Sequence, residues 1–324
     1  MSDLLPTLRL LERAAQTVYE AIPPTPQYAW PLLAAALGTE AWVKHENHTP
    51  TGAFKVRGGI TYFRDLAQRA DRPVGVISAT RGNHGQSVGF AARRVGIPAT
   101  IVVPVGNSRE KNAAMRALGV TLVEHGEDFQ AAREHATELA RRQGLLMVPS
   151  FHPLLIQGVG TYSLEFLRAV TDLDVVYVPI GLGSGICGMI AAREALGLSA
   201  EIVGVVSAHA PAYALSFQQQ AVVEHAVSTR IADGMACRTP EPEALDILWR
   251  HMARVVQVTD AEVEAAMRLM FKSTHNVAEG AGAAGLAAAF QERSRLRGKK
   301  VGLVLCGANV DSDVFASILA AGGT

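Results

Sequence analysis

Cysteine is scarce in this sequence, and neither sign of charge is in excess. The 324 residues include only Cys187, Cys237 and Cys306, and 30 basic residues balance 30 acidic ones. Three cysteines do not make a disulfide framework, and no two of them have the spacing of zinc ligands, so a reducing cytoplasm is the expected compartment. No basic run stands out, which argues against a nucleic-acid partner or an anionic membrane surface.

The sequence also lacks an apolar run long enough to span a bilayer, so no membrane association is expected. Residues 1–20 predict an amphipathic helix carrying Asp3, Glu12 and Glu20, and they lack the basic start and apolar core of a signal peptide. Hydrophobic residues make up 49% of the chain and charged residues 19%. This composition indicates a large buried core, and the length corresponds to roughly two domains.

Short β-branched runs alternate with helical stretches along much of the chain. The runs are 73–78, 99–104, 120–125, 174–180, 201–206 and 300–306. Alternation of this kind predicts an α/β fold with parallel sheets flanked by helices. Asn107 and Glu110 indicate a capping box at the start of the second helix. The pattern divides into two units, roughly 50–148 and 149–324, and does not place the first 49 residues.

Lys55 lies in an unusual local frame, with a Thr-Gly-Ala-Phe turn before it and Arg57 and two glycines after it. A neutral amine condenses with an aldehyde, and partial burial lowers the pKa of a lysine toward the range where this happens. Arg57 either adds a second positive charge near the amine or holds a structural carboxylate. An ordinary surface lysine is the alternative reading, and this motif alone does not decide between them.

The stretch "SATRGNHGQS" (78–87) follows a predicted strand and opens a helix. Gly82 permits a tight turn, and the Asn83 amide is able to bond a ring substituent such as a hydroxyl. Backbone N–H groups at such a turn form an anion site that suits a carboxylate. A plain Asn-His turn with a helix cap is the alternative.

The stretch "VPIGLGSGICG" (178–188) has the same order of strand, glycine loop and helix. Gly181, Gly183, Ser184 and Gly185 would let backbone amides approach a phosphate at the helix N-terminus. The letters also match the dinucleotide fingerprint Gly-x-Gly-x-x-Gly, which needs an acid at the end of the next strand. Ser207 stands there instead, so a phosphate loop is favoured and a nicotinamide reductase is the alternative outside this class.

The segment 300–306 ends at Cys306, directly before a turn at Gly307. A thiol at a strand tip is able to face a pyridine nitrogen, although a buried structural cysteine is the alternative. The four stretches together require a ligand with an aldehyde for Lys55, a phosphate for the glycine loop, and a polar ring for Asn83 and Cys306. Pyridoxal 5′-phosphate meets these requirements.

With these residues, the chain resembles the fold-type II pyridoxal-phosphate enzymes, the group of serine/threonine dehydratases (threonine ammonia-lyases) and serine racemases. The resemblance covers nearly the whole chain, including "PPTPQYAWPLLAAALG", "IADGMA" and "VAEGAGAAGLAA". It implies a large cofactor-binding domain formed by 1–49 plus 149–324. It also implies a small domain at 50–148 that carries the substrate loop, and no C-terminal regulatory domain.

The resemblance also implies roles for individual residues. Lys55 would hold the cofactor as a Schiff base with Phe54 beside it, Asn83 would bond the ring hydroxyl, and Cys306 would face the pyridine nitrogen. The phosphate would be bound by Gly181, Leu182, Gly183, Ser184 and Gly185. The substrate carboxylate would be received by Thr80, Arg81, Gly82, Asn83 and His84. Leu182 and Ser184 interrupt what is usually a run of glycines, and many relatives have serine in place of Cys306.

The implied activity is β-elimination from an L-3-hydroxy amino acid, threonine or serine first, to give a 2-oxo acid and ammonia. An aryl or acidic 3-hydroxy amino acid is an alternative substrate, and an amino-acid racemase of the same fold is an alternative activity. Arg81 stands where such racemases carry a serine, and a guanidinium is a poor proton shuttle. Val206 and Ala212 replace the acids of metal-activated relatives, so no metal is expected. A homodimer or higher homo-oligomer is expected.

Overall fold

The strands form two separate sheets in the computed structural model, which describes residues 5–321. The six-stranded sheet has the order β1-β2-β10-β7-β8-β9, and its strands are β1 (Gln27–Ala29), β2 (Glu40–His45), β7 (Val175–Pro179), β8 (Glu201–Ser207), β9 (Arg254–Val258) and β10 (Lys300–Leu305). The four-stranded sheet has the order β5-β4-β3-β6, and its strands are β3 (Val76–Ala79), β4 (Ala99–Val103), β5 (Thr121–Glu124) and β6 (Leu146–Met147). Among these described strands, every pairing is parallel except that of β1 with β2.

Helices cover the faces of both sheets. In chain order they are α1 (Leu8–Tyr19), α2 (Pro31–Leu37), α3 (Lys55–Gln68), α4 (Asn83–Arg94), α5 (Arg109–Ala117), α6 (Phe129–Gln143), α7 (Pro153–Ala169), α8 (Ser184–Ala195), α9 (Ala212–Gln219), α10 (Pro242–His251), α11 (Asp260–Thr274), α12 (Gly280–Gln291) and α13 (Ser312–Ala320). Within residues 5–321, none of them has both the length and the apolar character needed to cross a membrane.

The predicted α/β fold with parallel sheets is confirmed, and each of the six predicted runs contains or overlaps a strand. Four observed strands were not predicted from the sequence: β1, β2, β6 and β9. β1 and β6 have three and two residues, which is too short for a periodic signal. The amphipathic N-terminal helix is α1, and Asp3 lies outside the described residues.

The capping box predicted from Asn107 and Glu110 is wrong. Ser108 is the N-cap of α5, and its side chain accepts from the backbone N–H of Lys111. The Asn107 amide instead donates to Asn112 Oδ1. Glu110 contacts a distant segment of the chain: its Oε1 accepts from the backbone N–H of Ser312 at 2.8 Å.

The two sheets draw on different parts of the chain. All four strands of the smaller sheet lie within 76–147, whereas the larger sheet takes strands from 27–45 and from 175–305. A small domain at 50–148 would contain all four strands of the smaller sheet, as observed. The domain bounds themselves stay a prediction. The main hydrophobic core surrounds the larger sheet, where Val176, Ile190 and Leu303 are fully or almost fully buried.

Candidate active site

Lys55 is the first residue of α3, and its side chain is partly buried. Desolvation lowers the pKa of Lys55, and the nearby Cys306 and Glu279 oppose that shift without cancelling it. Its Nζ is 4.4 Å from the centroid of the Phe54 ring. The backbone oxygen of Lys55 accepts from Ser87 Oγ at 2.6 Å, which fixes the start of α3 against α4. The neutral amine of Lys55 therefore forms more readily than that of an ordinary lysine.

The turn before Lys55 is attached to the end of β10. The Phe54 N–H donates to the carbonyl oxygen of Cys306 at 3.0 Å, and Ala53 forms an isolated bridge with Gly307. Gly52 has a φ of +65°, and a Cβ there would come within 2.8 Å of Asn309 Oδ1. Glycine is thus required both by the backbone and by the close approach. This attachment is the reason why the lysine and the cysteine motifs, far apart in sequence, meet.

Arg57 holds structural carboxylates, which decides between the two roles open from the sequence. It is 0% exposed, with Nε 2.7 Å from Glu46 Oε2 and Nη1 2.6 Å from Glu165 Oε1. Lys44 Nζ is 2.6 Å from Glu165 Oε2, so two cations balance two anions in the same buried cluster. Burial alone would lower the pKa of Arg57, but the two carboxylates raise it above its ordinary value. The cluster anchors the first turn of α3, where Lys55 lies.

The predicted substrate loop connects β3 to α4. Thr80 Oγ accepts from the Gly82 N–H at 3.0 Å, and a Cβ on Gly82 would meet Lys111 Cδ at 2.4 Å. Arg81 is exposed. The buried Nε2 of His84 has no hydrogen-bond partner among the described residues. Desolvation first, and Lys55 second, lower the pKa of His84 to about 3, so its ring is neutral.

Asn83 is held by two residues that sequence reasoning did not select, Glu279 and Asn309. Its Nδ2 donates to Glu279 Oε1 at 2.7 Å, and its Oδ1 accepts from Asn309 Nδ2 at 2.8 Å. Glu279 directly precedes the Ala/Gly-rich helix α12, but an acid at that place does not by itself indicate a contact with Asn83. Burial raises the pKa of Glu279 to about 7.

The glycine loop joins β7 to α8. Gly183 has a φ of +103°, and a Cβ there would meet Ala244 Cβ at 2.7 Å, so both backbone and space require glycine. No side chain caps α8, which leaves its first N–H groups free of a capping partner among the described residues. Leu182 is tied by its carbonyl oxygen, which accepts from the Tyr213 hydroxyl at 2.9 Å. An uncapped helix start behind a glycine loop suits a phosphate.

Cys306 follows β10 directly and is buried. Burial is the main reason why the pKa of its thiol is raised, and the Glu279 carboxylate adds to the effect. The thiol is therefore protonated and faces the site as a neutral, weak hydrogen-bonding group. This is the character needed opposite a neutral pyridine nitrogen, and the assignment stays a prediction.

Phe54 links the lysine to the glycine loop. Its ring lies 4.4 Å from Lys55 Nζ, and its Cε2 and Cζ are 3.5 Å from the point where a Cβ on Gly185 would stand. The amine, the uncapped start of α8, the Asn83 amide and the Cys306 thiol therefore border one region. Pyridoxal phosphate needs a reactive amine for its aldehyde, an anion site for its phosphate and polar groups for its ring. The residues present here fit these three requirements.

Comparison with known proteins decides the family. The family of pyridoxal-phosphate dependent enzymes matches residues 18–307. The chain belongs to this family. Pyridoxal phosphate is accordingly its cofactor, and the resemblance to the fold-type II dehydratases and racemases is confirmed. Nothing among the relatives supports a dinucleotide-binding reductase.

Two relatives and one solved structure illustrate the group. The chain is 31% identical to an L-threonine ammonia-lyase of Thermotoga maritima over 314 residues, which are 97% of this chain and 78% of that protein. It is 32% identical to an L-threo-3-hydroxyaspartate ammonia-lyase of a Pseudomonas species over 296 residues, 91% of this chain and 92% of that protein. The crystal structure of a pyridoxal 5′-phosphate-dependent aspartate racemase superposes with a TM-score of 0.90 at 26% identity, covering 97% of this chain and 98% of that one.

The prediction that no metal is needed rests on Val206 and Ala212. Within residues 5–321, no group of three or more His, Cys, Asp or Glu side chains converges as a metal site would. Both Val206 and Ala212 are buried and apolar.

Proposed function

We propose that the protein is an ammonia-lyase that converts an L-3-hydroxy amino acid, threonine or serine, to the 2-oxo acid and ammonia. The observation that carries the proposal is the desolvated Lys55 amine near Cys306 and Glu279, at the start of a helix anchored by buried ion pairs. The relatives named as ammonia-lyases support the same reaction class. In the net reaction the β-hydroxyl leaves as water, a water then releases the amino group, and no oxidant or reductant is consumed.

When bound, the cofactor supplies an aldehyde for amines and a ring that accepts electrons from the substrate Cα. The residues of this chain do the rest. Lys55 Nζ, as the neutral amine, accepts the proton from the substrate Cα, which requires a pKa below that of an ordinary lysine. The lowered pKa of Lys55 supports that role.

The other residues bind and orient. Backbone N–H groups at the start of α4, with Thr80 beside them, would hold the substrate carboxylate, and the first N–H groups of α8 would hold the cofactor phosphate. Asn83 would donate to the ring hydroxyl. The depressed pKa of His84 makes its ring a weak base, so it does not compete with Lys55 for the proton.

The test is release of 2-oxo acid and ammonia from a panel of L-3-hydroxy amino acids. Threonine and serine are expected to be the best substrates, with phenylserine and 3-hydroxyaspartate as the comparison. K55A is expected to abolish turnover, and K300M, which removes a lysine near the surface and far from the site, is the matched control. Turnover by K55A at the wild-type rate would refute the proposal.

Racemisation is the second candidate, and the superposed aspartate racemase is the observation that favours it. It requires a second acid/base opposite Lys55, at the place where Arg81 stands. A guanidinium stays protonated at neutral pH, so little D-isomer is expected. Incubation of L-serine in deuterated water tests this: deuterated D-serine formed as fast as oxo acid would establish the racemase.

An acidic substrate is a variant of the same proposal. Arg81 is exposed, and a guanidinium is suited to binding a second carboxylate. If Arg81 selects such substrates, R81A should lower kcat/KM for 3-hydroxyaspartate more than tenfold while threonine changes little. Equal loss for both would assign Arg81 to the carboxylate that all substrates share.

A cytoplasmic homodimer or higher homo-oligomer that acts on a small amino acid is part of the proposal. The balanced charge of the chain agrees with the absence of nucleic acid or an anionic membrane as a partner. Light scattering of the purified protein measures the assembly. A monomer at micromolar concentration would contradict this part.

A further inference from the structure

Glu279 is a buried carboxylate in the wall of the predicted cofactor site. It is 2% exposed, and its Oε1 accepts from Asn83 Nδ2 at 2.7 Å. Its Oε2 is buried without a hydrogen-bond partner among the described residues. A Cβ on Gly307 would come within 2.6 Å of Oε1, so the carboxylate is packed tightly against the backbone after β10.

The hydrogen bonds around Asn83 have a definite direction. Asn309 Nδ2 donates to the carbonyl oxygen of Thr51 at 2.8 Å, and a carbonyl only accepts, so the Asn309 amide is fixed. The same Nδ2 donates to Asn83 Oδ1, and this places Asn83 Nδ2 toward Glu279. One of the two Asn83 N–H bonds is then used by Glu279, and the other is left for the ring hydroxyl of the cofactor.

The strength of the hydrogen bond between Asn83 and Glu279 depends on the charge of Glu279. An ionised carboxylate only accepts, so it holds the Asn83 amide by a charge-assisted hydrogen bond. A protonated carboxyl group accepts a weaker hydrogen bond, so it holds the Asn83 amide less firmly. An anion in so buried a place needs a cation nearby.

Lys111 brings that cation from α5. Its side chain is 7% exposed, passes over Gly82, and ends with Nζ 2.5 Å from Asp233 Oδ2. Desolvation lowers the pKa of Lys111, but Asp233, Glu279 and other acids raise it more, so the amine is charged. Among the charges that lower the pKa of Glu279, Lys111 acts more strongly than Lys55.

We propose that Glu279 is a positioning residue for Asn83, and that the charge of Lys111 favours the ionised form of Glu279, which holds the Asn83 amide by the stronger hydrogen bond. The inference rests on the proposed role of Asn83 toward the cofactor. It also gives α5 a part in the site: a lysine 28 residues along the chain from Asn83 affects the strength of a hydrogen bond that positions Asn83.

The groups that face Glu279 come from five elements. Lys55 is on α3, Asn83 on α4, Lys111 on α5, Asp233 in the turn Asp233–Met235, and Cys306 after β10. Burial and Asp233 raise the pKa of Glu279, while Lys111, Asn83 and Lys55 lower it. The balance places its titration at about pH 7. Loss of Lys111 removes the largest lowering charge, so the pKa must rise.

The experiment measures binding and needs no turnover. The probe is 4′-deoxypyridoxine 5′-phosphate, which keeps the ring hydroxyl and the phosphate but has no aldehyde for Lys55. Its affinity for the apoenzyme is measured by calorimetry from pH 6 to pH 9 for wild type, K111M, K111R and E279Q. Ionisations of the probe itself are common to all four proteins, and E279Q serves as their baseline.

Relative to E279Q, the affinity of wild type for the probe should fall about tenfold as the pH drops through the titration of Glu279. A tenfold change corresponds to about one hydrogen bond. In K111M the midpoint should move up by about one pH unit or more, since an opposite charge at close range is lost. K111R should restore the wild-type midpoint. A purely structural role for Lys111 would weaken binding equally at every pH.

The same midpoint in wild type and K111M, or the same step in wild type and E279Q, would overturn the inference. If K111M does not fold, the comparison of wild type with E279Q decides. A pH-dependent change in affinity that wild type shows and E279Q lacks supports the inference, whereas the same change in both proteins overturns it. Failure of the wild-type protein to bind the probe at any pH would instead contradict the predicted cofactor site, so the two failures are distinguishable.

Discussion

Replacing Arg57 with methionine is expected to destabilise the fold strongly, because Arg57 neutralises two buried carboxylates. Glu46 is 0% exposed and the Glu165 side chain 8%, and both lie within 2.7 Å of the guanidinium. R57M leaves two anions with Lys44 as the cation that remains in the cluster. Breaking a buried ion pair from one side costs about 3–5 kcal/mol, and that is the loss expected in the free energy of unfolding at pH 7.5.

The assay is urea unfolding of the apoenzyme followed by circular dichroism, with R64M as the matched control. Arg64 is on the same helix, but its pair with Glu20 is exposed, at 51% and 56%. Such a pair contributes about 0–1 kcal/mol. The loss in R57M should shrink as the pH falls toward 5, because protonation of an unpaired buried carboxylate relieves the imbalance. A cost for R57M no larger than that for R64M would refute the reasoning.

E279Q should stabilise the apoenzyme at pH 8 by about 3 kcal/mol, since burial raises the pKa of Glu279 from 4.5 to about 7 and glutamine resembles the protonated form. Because the pKa of Glu279 is raised in the folded protein, the stability contributed by its protonated form is fully present below pH 4.5 in wild type. That contribution is lost as the pH rises through 7, and E279Q does not lose it. Thermal unfolding at pH 5 and pH 8 measures it, and an unchanged pH dependence in E279Q would contradict the assignment. Activity should survive exhaustive chelation, because Val206 and Ala212 offer no ligand for a hard cation. Loss on chelation with recovery by magnesium would show this wrong.

The parts of the site predicted from sequence are those coded by short local patterns. Lys55, Asn83 and Gly183 each lie where a strand or turn passes into a helix, and that order is visible in a few consecutive residues. The structure places all three motifs around one region. Their individual roles at the cofactor remain predictions.

The parts that escaped prediction are contacts between distant segments. Glu279 and Lys111 are separated from Asn83 by 196 and 28 positions, and a lone acid or lysine carries no local signal for such a contact. The same limit explains the wrong capping box, since Glu110 finds its partner in Ser312 and not in its own helix. Burial and tertiary pairing, rather than spacing, decide these roles.

The most direct test of the account is to reduce the holoenzyme with borohydride and map the modified peptide. Lys55 is the lysine at the start of α3 with a lowered pKa and with Phe54 4.4 Å from its Nζ. The account predicts that the cofactor becomes fixed to Lys55 and to no other lysine, and that K55A remains unlabelled. A stable adduct on Lys111 or another lysine, with Lys55 unmodified, would contradict it.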